Sequence, residues 1–170
     1  SEDSEFTPVI QTTGEDIGAR KRLTIEDILL LKERFDDVCI PLENRYLVLN
    51  PKHVSDLILF DTKAFKDITD IVNGQPKRIA GFSVLQTSIT PKYNSTDATK
   101  KPFSEEIKAT DTFCSFAFQG DEVMKADGEI YMYSKEDDPG ERGTIVGFDK
   151  RFIAVPIRNK GLGAIVSTKV

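Results

Sequence analysis

The residues best suited to chemistry in this chain are few, and none has nearby partners of the kind that chemistry needs. The single histidine, His53, falls in the first turn of an expected helix. Zinc and similar metals take clusters of Cys, His and carboxylate ligands, and no Cys or second His is placed to complete one. A Ser-His-Asp or Cys-His arrangement would have to use the same imidazole, yet neither a G-x-S-x-G elbow nor a cysteine-based signature occurs. His53 is therefore expected to cap a helix or edge a core, and an enzyme built on it is the least favoured of three readings. Gly161-Leu162-Gly163 opens like a dinucleotide fingerprint but lacks its third glycine and continues into Ile165-Val166, which reads as a turn before a strand. No Walker lysine motif occurs.

The remaining polar clusters fare no better. Asp36-Asp37 and Glu136-Asp137-Asp138 lack the alternate-residue spacing and central glycine of a calcium loop and read as solvated charge. Glu105 and Glu106 are adjacent, so they point to opposite sides of a strand or about 100° apart on a helix, which does not make an acid and base pair. Asn94-Ser95-Thr96 is a glycosylation acceptor triplet within loop composition. Phe113, Phe116 and Phe118 lack the flanking Lys and Arg of a base-stacking platform and are expected in the core. No catalytic, cofactor-binding or metal-binding residue is assigned, and neither catalysis nor a cofactor is expected.

Composition bounds the class. The 170 residues include 39% hydrophobic and 30% charged side chains, enough apolar material for a packed domain. Of 28 acids, five (Glu2, Asp3, Glu5, Glu15, Asp16) fall in the first 16 residues without a base. The rest of the chain thus balances 23 acids (28 less 5) against 23 bases. A balanced body without a basic stripe carries no footprint for specific nucleic-acid binding. Cys39 and Cys114 cannot make a disulfide framework and are expected as free, buried thiols. The longest uncharged stretch, Ile79 to Pro91, is shorter than the about 20 residues a membrane span needs. The opening SEDSEF has no basic or apolar leader character, so no signal peptide is expected.

The elements that must position these residues follow from periodicity. Residues 1–22 read as a flexible acidic lead-in and residues 23–170 as a single domain. Thr24 and Asp27 form a capping pair before Ile28, Leu31, Phe35 and Val38, which predicts a helix over 25–37. Tyr46 to Leu49 reads as a strand covered on both faces. Asn50-Pro51 starts a second helix with Val54, Leu57 and Ile58 inward, and Asp61 to Val72 is a weakly patterned extension before a turn at 73–76. Arg78 to Ile89 reads as one strand with a bulge where the inward phase changes from Phe82 and Val84 to Leu85, Thr87 and Ile89. Residues 90–104 read as an exposed loop, and Phe113 to Phe118 as a strand with Cys114, Phe116 and Phe118 on one face. A short helix is expected over Asp121 to Ala126, closed by Gly128. Strands follow at Ile130–Tyr133, Thr144–Ile157 with internal breaks, and Leu162–Val170, with a charged turn at 135–143. Helices early and strands late, without regular alternation, indicate an α+β fold: a mixed or antiparallel sheet with flanking helices.

Several of these segments, in this order, resemble the major capsid proteins of tailed bacteriophages. The resemblance starts at Leu23-Thr24-Ile25-Glu26-Asp27-Ile28 and sharpens at Val38-Cys39-Ile40-Pro41-Leu42-Glu43-Asn44-Arg45-Tyr46-Leu47-Val48-Leu49-Asn50-Pro51. That passage is similar to the family's valine-proline, glycine-arginine-tyrosine, apolar strand, proline segment. Asn44 stands in place of the glycine and also tolerates a left-handed backbone. Arg78 to Val84 with Thr87-Ser88, then Ala117-Phe118-Gln119 with Ala126, and finally Leu162 to Val166 continue the likeness across residues 22–170. The resemblance implies the tailed-phage capsid fold without its N-terminal arm and extended hairpin, as in a C-terminal portion of a longer protein. It implies a structural subunit of a phage or prophage shell that assembles with copies of itself into hexamers and pentamers around DNA. Other capsid or portal proteins are implied partners, and the virion, with the host cytoplasm during assembly, is the implied location. The runner-up is an accessory module that engages a partner protein through the 90–104 loop.

Overall fold

Along the chain run strands β1 (Val9–Gln11), β2 (Asp16–Ile17) and β3 (Arg20–Lys21), helix α1 (Ile25–Asp37), strand β4 (Arg45–Leu49) and helix α2 (Pro51–Phe60). Short strands β5 (Thr69–Asp70), β6 (Gln75–Pro76) and β7 (Arg78–Ile79) follow, then β8 (Phe82–Gln86), β9 (Lys92–Asn94) and β10 (Asp111–Gln119). The chain closes with β11 (Val123–Asp138), β12 (Gly143–Pro156) and β13 (Leu162–Val166). The computed structural model describes residues 7–60, 69–70, 75–76, 78–95, 97–138, 140 and 143–168. Most of the expected helical extension over 61–72, and the start of the turn at 73–76, lie outside them.

The main sheet has the order β1-β13-β10-β4-β8-β7, with β9 added to β10. It is mixed: β1 with β13 and β4 with β8 are parallel, and the pairs made by β10 are antiparallel. This is the α+β architecture expected, with one local β4-α2-β8 crossover in which the intervening helix allows parallel pairing. Both helices cover the same face. Leu31 and Phe35 of α1 press on Gly163, and His53 of α2 meets Ser115. That face of the sheet and the helices enclose the core, including Leu23, Ile28, Leu47, Leu49, Leu57, Phe82 and Ile165.

Helix α1 matches its expected span because its signals are local. Thr24 Oγ1 accepts from the Asp27 N–H at 3.3 Å, and the Asp27 carboxylate accepts from the Thr24 N–H at 3.0 Å. Its end is equally defined: Ile40 N–H donates to Phe35 and Cys39 N–H to Asp36, both at 3.0 Å, with Cys39 at φ 56°. This is a Schellman stop, with a cysteine in the left-handed position where glycine is usual. It leaves Val38 outside the buried stripe and Cys39 exposed, so of the two cysteines only Cys114 is buried. On α2 the inward face is completed by His53 and Asp56, while Ile58 is exposed.

The expected lead-in joins the body from Pro8 onward. β1 adds a parallel edge strand to β13, and β2 and β3 form a small hairpin about Gly18 at φ 61°. Two buried helix carboxylates hold it. Asp27 accepts from the Thr13 hydroxyl at 2.7 Å, and Asp56 accepts from Arg20 at 2.5 and 2.9 Å and from the Leu23 N–H at 3.2 Å. Such long-range polar ties leave no periodic trace in sequence.

Arg78 to Gln86 is a hairpin instead of one bent strand. Ile79 pairs with Phe82 across Ala80 and Gly81, whose φ values of 49° and 87° are those of a two-residue turn of the primed type. β8 keeps one phase, with Phe82 and Val84 buried and Leu85 and Ile89 exposed. Residues 90–104 are only partly loop, because β9 pairs with β10 and buries Tyr93. The expected helix over Asp121 to Ala126 is a single 3-10 turn, Gly120–Glu122, that leads directly into β11.

Candidate functional site

His53 is the one residue whose chemistry invited an active site, and the fold seals it. Its Nδ1 lies 2.6 Å from Ser115 Oγ on β10, and its Nε2 lies 2.6 Å from Ser167 Oγ just beyond β13. A neutral imidazole donates at one nitrogen and accepts at the other, so both hydroxyls are satisfied in either tautomer. Ser115 also accepts from the Asn50 N–H at 3.0 Å, and the Asn50 amide donates to Thr90 at 3.0 Å. His53, Ser115 and Ser167 have no accessible surface. Burial lowers the imidazole from 6.5 to about 4, opposed by the Asp56 charge nearby. A serine and a base are in contact, yet all three side chains are closed off from solvent. The cluster instead pins α2 to two strands, in keeping with the expected core role of His53. Among the described residues, no group of three or more His, Cys, Asp or Glu side chains converges as a metal site.

Arg45 and Asn44 take up equally specific positions. Asn44 has φ 55°, the left-handed backbone expected of it. Arg45 is buried: Nε donates to the Pro41 carbonyl at 2.8 Å, and Nη2 donates to the Ile40 carbonyl at 2.5 Å and meets Asp36 at 2.8 Å. The guanidinium also lies 5.7 Å from the Phe35 ring centroid. It ties the end of α1 to the start of β4, a fold-holding role.

The opposite face of the sheet is less covered. Tyr46 stacks on Phe118 at 5.2 Å, and Phe118 lies 6.4 Å from Phe116. Of the expected core aromatics, Phe116 and Phe118 are half-buried on this outer face, while Phe113, also half-buried, lies on the helix-covered face, flanked by Lys52 and Lys92 at 3.7 and 4.0 Å. An apolar cleft of about 660 Å³ separates Phe116, Phe118 and Leu162 from Val123, Ala154 and Pro156 at the base of the last hairpin.

That hairpin is the largest feature the sequence did not reveal. The expected short strands fuse into β11 and β12, an antiparallel two-stranded ribbon separate from the main sheet. Sixteen residues of β11 at about 3.3 Å each make it about 50 Å long. Gly128 is no helix stop: it sits in a bulge opposite Arg151, where a Cβ would lie 2.9 Å from the Arg151 carbonyl oxygen. Because directly paired residues share a face, the register divides the ribbon in two. One face carries Ile130, Met132, Val146, Phe148 and Phe152, with Lys125, Asp127 and Lys150 in ion pairs among them. The other carries Met124, Tyr131, Tyr133, Ile145, Ile153 and Val155, with Asp149 and Arg151 at mid-length. Both are exposed, Phe148 to 71% and Tyr133 to 61%. An isolated two-stranded ribbon is marginal in water, and apolar surface of this extent marks a contact site.

Searches against protein-family models and curated proteins find no match. Solved structures do match. The capsid of cyanophage P-SCSP1u superposes with a TM-score of 0.62 at 19% identity, over 94% of this chain and 53% of that one. The chain has the phage capsid fold. The mature capsid of bacteriophage PhiM1 gives 0.58 at 10% identity, over 94% of this chain and 51% of that one. A structure of Mycobacterium phage Che8 gives 0.58 at 10%, over 92% and 52%. The chain therefore spans about half the length of the chains it matches, and within it the capsid fold includes both the helix-covered sheet and the ribbon.

Proposed function

We propose that this chain is part of a shell subunit that tiles with copies of itself into the hexamers and pentamers of a phage or prophage capsid around DNA. The observation that carries this reading is a capsid fold whose long ribbon leaves both apolar faces uncovered in a single copy. Assembly of this kind needs shape and many modest contacts, which add up across a closed shell. The near-balanced charge of the body is compatible with close packing of like subunits. Other capsid or portal proteins are fitting partners, without specific nucleic-acid recognition or membrane attachment. The virion is the proposed location, with the host cytoplasm as the place of assembly. Expression of the full reading frame that carries this chain, followed by electron microscopy, is expected to yield shells, tubes or capsomers. A persistent monomer at high concentration overturns the reading.

A second reading, capture of a different protein through residues 90–104, draws on Phe103, which is 87% exposed. Deleting that segment would remove β9 and the Lys101–Asp111 pair at 2.7 Å, so Phe103→Ser is the cleaner variant. Loss of heterologous binding with shell formation unchanged would favour this second reading.

A further inference from the structure

We infer that the tyrosine-bearing face of the ribbon packs against the same face of a second copy, about a two-fold axis that crosses β12 at Lys150. The inference rests on the shell reading for its setting and names one contact within it. Its first support is an internal match of sizes and charges. A two-fold axis lying across the strands at position 150 lays each ribbon antiparallel on its partner, β12 over β12. Position 151 of one copy then meets position 149 of the other, so Arg151 faces Asp149 twice. Within one chain these two residues make only an exposed contact at 3.8 Å, and across the axis they become a four-charge cluster.

The remaining crossings follow from the register of the ribbon. Ile153 of one copy falls on Gly147 of the other, where a missing side chain leaves open space: nothing lies within 4 Å of a Cβ built there. Tyr133, paired with Gly147, falls on Ala126, paired with Ile153. Val155 falls on Ile145. Tyr131 falls near the bulge at Gly128, the other position on this face without a side chain. Large residues thus meet small ones, and aliphatic meets aliphatic, over most of the length, while toward each end of the contact Met124 falls on Lys135. Such alternation is what two interdigitating faces need.

The second support is area and chemistry. These side chains present roughly 700 Å² of mostly apolar surface, near the about 800 Å² per partner of a standard interface. Tyrosine suits a surface that spends part of its life in water, since its ring buries while its hydroxyl stays hydrated. The opposite face, built from Phe, Met, Ile and Val, has no such compromise and no self-matching charge pair on this axis.

A charge exchange in the full reading frame tests the contact at low salt. Asp149→Arg places arginine against arginine at both crossings, and Arg151→Asp places aspartate against aspartate. Each variant alone is expected to weaken self-association at least tenfold by sedimentation velocity. An equimolar mixture of the two is expected to recover it to within about threefold, which also shows that both variants fold. If each variant alone associates as the wild type does, or the mixture is no better than its parts, the contact is refuted. Shells formed normally by both variants sink this inference and leave the shell reading intact. A wild-type dimer sensitive to the exchange, with no shells, does the reverse. A monomeric wild type sinks both.

Discussion

Lowering the pH from 7.5 to 4.5 acts on the buried imidazole of His53 in a calculable way. The folded chain holds it between two hydroxyls with no accessible surface, and burial lowers its pKa from 6.5 to about 4. Above pH 6.5 the imidazole is neutral in both folded and unfolded chains and contributes no pH dependence. As the pH falls through 6.5, the unfolded chain takes up a proton that the folded chain refuses. Stability then drops by about 1.4 kcal/mol per pH unit until the folded value is reached. At pH 4.5 the accumulated loss is about 2.5 kcal/mol, from the ratio of proton binding by the two states. Asp36, Asp111 and Glu122, held low chiefly by hydrogen bonds from Lys32, Lys101 and Arg158 respectively, have the opposite kind of shift. Their contribution is present above the ordinary carboxylate range and is lost below it, so it barely enters between pH 6.5 and 5. Urea unfolding of wild type and His53→Gln, followed by circular dichroism at half-unit intervals, separates the effect. The variant is expected to be less stable at pH 7.5 yet to lose little further between 6.5 and 5, whereas the wild type falls steeply. Parallel slopes for the two proteins would show that His53 is not buried as a neutral base.

Three further outcomes follow from the same packing. Cys39→Gly relieves a left-handed backbone at the α1 stop and is expected to raise stability by about 1 kcal/mol, with a matching rise in urea midpoint. Asp56→Ala removes the acceptor of two Arg20 bonds and of the Leu23 N–H, at a cost of about 3 kcal/mol. Hydrogen exchange should also show residues 16–23 opening ahead of the core, and full protection there would contradict the tie. Gly163→Val forces a side chain where even a Cβ would lie 2.6 Å from Leu31 and 3.2 Å from Phe35, and is expected to cost roughly 2–3 kcal/mol. A thermal midpoint unchanged from wild type would refute that close approach.

What could be read ahead of the coordinates was whatever neighbouring residues determine together. Thr24 and Asp27 cap α1 because they sit three residues apart at its start, and Asn50-Pro51 sets the start of α2 for the same reason. Cys114, Phe116 and Phe118 share a face because a strand alternates, and Asn44 turns left-handed because its short amide tolerates that backbone. The α+β class and the capsid likeness came from the order of such local pieces. His53 was legible as a core residue through the absence of partners, but its two serine partners were not, since they lie 62 and 114 residues away.

Sequence alone therefore determined the helices and most of the main strands, since these depend on spacings of two to four residues. Only the tertiary structure decided that residues 13–23 are stitched in by Asp27 and Asp56, and that Gly128 marks a bulge within one long ribbon. It alone decided that this ribbon stands clear of the core with both faces apolar. The physical reason is that alternation tells a strand which residues share a side, but only pairing across the fold decides whether that side meets protein or water.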